Sequence, residues 1–70
     1  MRDAYGNELS PCIVSKAKQA MGLTPVRGQI NNKYCTPHYW RKVVRAVGVS
    51  YRQPQIVIER AIDAWEEYCL

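Results

Sequence analysis

The stretch that decides the fold is Thr36-Pro37-His38-Tyr39-Trp40-Arg41-Lys42-Val43-Val44-Arg45-Ala46-Val47-Gly48. It reads as one short helix with both ends marked. Thr36 is a capping residue whose hydroxyl can accept from a free N–H of the first turn. Pro37 fits the first helical position, where the missing N–H does no harm. Gly48 suits the left-handed conformation that ends many helices. Between them, Trp40, Val43, Val44 and Val47 recur at the spacing of one apolar stripe. His38, Arg41, Lys42 and Arg45 recur on the opposite side. One face calls for a core and the other for an anion.

Working outward, the same punctuation repeats. The chain has four prolines. Ser10-Pro11, Thr24-Pro25 and Thr36-Pro37 each pair a capping residue with a proline, and Gln53-Pro54, with Ser50 as an alternative cap, is a weaker case. This predicts an all-α fold, a compact bundle of three to four short helices, with residues 1–9 as a tail and residues 10–70 as a single domain. A first helix is predicted from Pro11 to about Met21. It buries Ile13, Val14, Ala17, Ala20 and Met21, turns Ser15, Lys16 and Gln19 outward, and stops at Gly22. A second segment runs from Pro25 to about Tyr34, where Gly28 and Asn31-Asn32 weaken a helix and a single turn followed by a loop is the alternative. The last helix is predicted from Pro54 to near the C-terminus on a stripe of Ile58, Ala61, Ile62, Trp65 and Cys69. Ile56, Val57, Ala64 and Tyr68 broaden that stripe. Such breadth suits a central helix or a homodimer contact through Trp65 and Tyr68.

The charge pattern is uneven. Net charge is +4, yet residues 9–58 hold no Asp or Glu and eight cations. Of the six acidic groups, Asp3 and Glu8 lie in the N-terminal stretch and the other four crowd into Glu59, Asp63, Glu66 and Glu67. An acid-free tract of this length points to a polyanionic partner. No apolar run is long enough for a membrane span, and no signal peptide is evident, so a cytoplasmic protein is expected. The three cysteines, Cys12, Cys35 and Cys69, form no regular framework and read as reduced, largely buried thiols.

One histidine and few carboxylates leave little from which to build an active site, so no enzymatic activity and no cofactor are expected. A Cys35/His38 pair has the spacing of half a zinc site, but its other half would have to come from two distant single cysteines, so no metal is expected. Nucleic acid is the better partner. The candidate contacts are Lys16, Lys18, Arg27, Gln29, Asn31, Asn32, Lys33, His38, Tyr39, Arg41, Lys42, Arg45 and Arg52. Arg41, Lys42 and Arg45 would grip phosphates, and Arg27, Gln29, Asn31 and Asn32 have side chains able to read base edges. Tyr39 could stack, donate to a phosphate, or simply pack at the edge of the core.

Two stretches resemble the turn of repressor-type helix-turn-helix motifs. They are Ala20-Met21-Gly22-Leu23-Thr24 and Ala46-Val47-Gly48-Val49-Ser50. Both depart from the motif, since Lys18 and Val44 stand where a small residue is usual. The first is the better candidate because polar readers follow it, whereas the segment after the second turns acidic. The expectation is therefore a small basic DNA-binding protein, a transcriptional or DNA-transaction regulator, touching double-stranded DNA through residues 24–47. The alternative is an adaptor or inhibitor that docks on an acidic protein surface, and RNA is a weaker third partner.

Overall fold

A computed structural model describes residues 1–25 and 35–69, and they form an all-α bundle. The helices are α1 (Pro11–Ala20), α2 (Pro37–Ser50), α3 (Gln55–Asp63) and α4 (Trp65–Cys69). The second predicted segment, with its candidate readers Arg27, Gln29, Asn31, Asn32 and Lys33, lies outside the described residues.

The centre is α2, which packs on α1 along one side and on α3 along another. Its start follows the sequence. Thr36 is extended, and its hydroxyl accepts from the N–H of Tyr39 at 3.2 Å. Its stripe also follows the sequence, because Trp40, Val43, Val44 and Val47 are all 0% exposed. The Trp40 indole N–H donates to the Ala61 carbonyl at 2.9 Å, which satisfies a polar group that burial would otherwise leave costly. The Trp40 ring stacks on Tyr68, with centroids 6.0 Å apart and an interplanar angle of 12°.

The end of α2 corrects the reading of Gly48. This glycine is helical and buried, and the helix runs on to Ser50. A Cβ at position 48 would sit 2.6 Å from Ile58 Cδ1 and nearer still to Cγ1. The missing side chain thus lets α3 cross closely over α2. Arg52 terminates the helix instead, at φ 54°. The N–H of Gln53 donates to Gly48 C=O at 2.8 Å, and that of Arg52 to Val49 C=O at 3.1 Å, which is the Schellman pattern. The second helix-turn-helix resemblance fails here, since its turn glycine lies inside a helix. Ser50, being helical, is no cap for α3, and Pro54 precedes the first residue of that helix.

The first helix ends as read. Gly22 takes φ 74°, and the Leu23 and Gly22 N–H groups return to Lys18 and Gln19 carbonyls at 2.9 and 3.0 Å. Its outward face is narrower than expected, because Lys16 and Gln19 are buried together with Ile13, Val14 and Ala17. The buried arc therefore wraps past one stripe, and both polar side chains are engaged within the fold. Cys12, expected in the core, is exposed and unpaired.

The predicted last helix is two helices. At Ala64 the N–H is shared between Arg60 and Ala61 carbonyls, at 3.1 and 3.2 Å, and the five-residue α4 follows. The change of direction brings three residues of α4 back to the region before α2. The Trp65 indole N–H donates to Cys35 C=O at 2.7 Å, Tyr68 reaches Trp40, and Cys69 forms a disulfide with Cys35. Trp65, Tyr68 and Cys69 thus have partners within the chain, whereas Ile56 stays 54% exposed. The disulfide corrects the expectation of three reduced thiols. The two cysteines lie 34 positions apart in sequence, and folding brings their Cα atoms to 5.9 Å, within bridging distance.

Residues 1–9, expected as a tail, form a closed turn. An isolated antiparallel bridge joins Arg2 and Glu8, and the N–H groups of Asp3 and Leu9 donate to Asn7 and Met1 carbonyls, each at 2.9 Å. Leu9 is a core residue. Among the described residues, no helix is long and apolar enough to cross a membrane.

Candidate nucleic-acid interface

The candidate surface is the face of α2 opposite its buried stripe. His38, Arg41, Lys42 and Arg45 are all exposed there. Because the stripe behind them is fixed in the core, these side chains start from a rigid base. Arg41 and Arg45 stand one helical turn apart, about 6 Å along the axis.

The N-terminal turn sits against this face. The Asp3 carboxylate accepts from Lys42 Nζ at 2.7 Å, and its side chain is only 5% exposed. The same carboxylate accepts from the N–H groups of Tyr5 and Asn7, both at 2.9 Å. The ammonium of Lys42, with these backbone donors, holds the Asp3 carboxyl down at about 2. Lys42 is pushed upward in turn by its hydrogen bond to Asp3. A depressed carboxyl favours the folded turn above the ordinary carboxylate range and loses that contribution progressively as pH falls from that range through about 2. At neutral pH the ion pair is therefore formed. Lys42, read as a phosphate contact, already has a carboxylate partner.

Between the turn and α2 lies an open groove of about 970 Å³. Arg2 and Tyr5 of the turn line it, as do His38, Arg41, Lys42 and Arg45 of α2. Ala46 and Val49 add apolar surface. The structure thus gathers the four basic-face residues and adds Arg2, Asp3 and Tyr5, which the sequence reading left in a tail. A signal for them was present. Asp3-Ala4-Tyr5-Gly6 has Asp at the first and Gly at the fourth position of a β-turn.

The remaining candidates fall elsewhere. Lys16, at 3% exposure, is too buried to meet a phosphate, which corrects its place among the contacts. Lys18 lies over the Tyr51 ring at 5.2 Å from the centroid, where it ties α1 to the end of α2. Tyr39 is half-buried, and its hydroxyl accepts from the Ser10 N–H at 2.8 Å, so it anchors the start of α1. Arg52 is exposed but serves as the left-handed residue that ends α2. The sulfur of Cys35 is in the disulfide, which leaves no thiol for the Cys35/His38 metal half-site. No protein family, curated protein or solved structure matches the chain.

Proposed function

We propose that this chain is a small DNA-binding protein, a regulator of transcription or of another DNA transaction in the cytoplasm, which grips duplex DNA with the basic face of α2. The observation that carries the reading is the two-faced construction of that helix. Arg41 and Arg45 are exposed at a fixed spacing on an element whose other side is fully buried. Phosphate contacts need cations held in this way, because a mobile side chain gives up more entropy when it is fixed. Arg41 and Arg45 hold phosphates, His38 stands at the N-terminal end of the same face, and Lys42 is shared with Asp3. The first helix-turn-helix resemblance supports the reading as far as α1 and its Gly22 turn, which have the form such a motif needs.

The test is the double variant Arg41→Ala, Arg45→Ala. Both side chains are exposed and lie away from the core, so the helical circular dichroism should match that of the parent. Affinity for a blunt DNA duplex should fall by more than tenfold at low salt, and the salt slope should flatten by about one for each contact removed. Unchanged affinity in a folded double variant would remove α2 from the interface.

A further inference from the structure

Tyr5 is unusual for an aromatic residue. It is 89% exposed, yet the backbone that carries it is stiff. The Asp3 carboxylate accepts the N–H of Tyr5 itself and also that of Asn7. Gly6 closes the turn at φ 83°, and Arg2 Nη1 donates to the Gly6 carbonyl at 3.2 Å. The Asp3–Lys42 ion pair then fixes the whole turn to α2. The backbone beneath the ring is therefore held, and Tyr5 lines the same groove as Arg41 and Arg45.

Among the residues that line the groove, Asp3 carries the sole carboxylate, and it lies at Lys42. With Asp3 neutralised by Lys42, phosphate is drawn to the exposed Arg41 and Arg45, and Tyr5 adds an uncharged aromatic face to the lining of the same groove. In a duplex the faces of the bases are covered by their neighbours, so an aromatic ring finds a free π-face only on a base out of the stack. We propose that this groove takes an unpaired nucleotide adjoining duplex DNA, with its base stacked on Tyr5 and its strand held at Arg41 and Arg45. The inference rests on the DNA-binding reading above and adds to it a preference for duplex that carries an unpaired nucleotide.

The experiment compares a blunt duplex with the same duplex carrying a short single-stranded overhang, using the full chain. The parent should bind the overhang form roughly tenfold more tightly, the scale of one base–aromatic stack. Tyr5→Phe should keep that gain. Tyr5→Ala should lose it while binding the blunt duplex as the parent does, and its exposed position leaves the fold intact. Equal affinity of the parent for both forms, or a gain that survives in Tyr5→Ala, overturns the inference and leaves the duplex reading standing. Failure to bind either form overturns both.

Discussion

Trp40→Ala, with the Cys35–Cys69 bridge reduced, should leave the chain without a cooperative unfolding transition at room temperature. The indole is fully buried at the centre of the bundle, and removing such a side chain costs about 3–5 kcal/mol. The net stability of a domain this small is itself only about 3–5 kcal/mol before any cross-link is counted. Two further contacts go with the ring. One is the hydrogen bond to Ala61 C=O, which links α2 to α3, and the other is the stack with Tyr68 of α4. Trp40→Phe separates these contributions. It keeps an aromatic ring against Tyr68 and loses the N–H, so it should remain folded but weakened by about 1–3 kcal/mol. Far-ultraviolet circular dichroism through a thermal melt measures both. A Trp40→Ala protein that melts within a few degrees of the parent would show that the bundle is organised around something else.

Loss of the Cys35–Cys69 disulfide is the second large effect. The bridge closes a loop with a sequence separation of 34, and the chain-entropy treatment gives about 3–4 kcal/mol for a loop of that length. The double variant Cys35→Ser, Cys69→Ser should therefore melt about 15–25 °C below the oxidised parent, using the ratio typical of domains of this size. Treating the parent with a thiol reductant should give the same drop. Cys12→Ser, at an exposed and unpaired position, should leave the melting temperature unchanged. A reductant that does not move the parent's midpoint would rule out the bridge as a source of stability. The result also bears on location, because thiol reductants in the cytosol keep most cysteines reduced. A cytoplasmic regulator would spend time in the weaker, unbridged form.

These two residues mark what local sequence can and cannot say. Trp40 was legible because its stripe, the Thr36 cap and the Pro37 start all lie within one helix, and each acts on neighbours a few positions away. The Gly22 stop was legible for the same reason. Gly48 was misread because glycine serves two purposes that look alike in a sequence. One is a left-handed backbone, and the other is room for a neighbouring helix. Only the position of Ile58 separates them. The Cys35–Cys69 bridge and the Asp3–Lys42 pair join distant parts of the chain, and no periodicity records either. Lys16 looked like a surface residue because its type usually is, whereas the buried arc of α1 is wider than one stripe. The break at Ala64 has no glycine or proline to announce it, and it follows from contacts that α4 makes with Cys35 and Trp40.

The candidate surface was legible in its cations and illegible in its boundary. The pattern placed His38, Arg41, Lys42 and Arg45 on one face, and they are there. Residues 9–58 hold no Asp or Glu, so nothing in the neighbouring sequence marks a carboxylate at this face. The fold returns Asp3 to that face, neutralises Lys42 with it, and sets Tyr5 beside the remaining cations. A basic tract in sequence is thus a different object from a basic surface in space, and Arg41 and Arg45 now carry the argument for phosphate.

The most direct measurement of that argument is the affinity of the parent chain for a blunt DNA duplex across a range of salt concentrations. Contacts from Arg41 and Arg45 alone require log K to fall linearly with log salt at a slope of about −1.8, and further phosphate contacts make it steeper. A slope near zero, or no binding at the lowest salt, would contradict the assignment of α2 as a DNA-gripping helix.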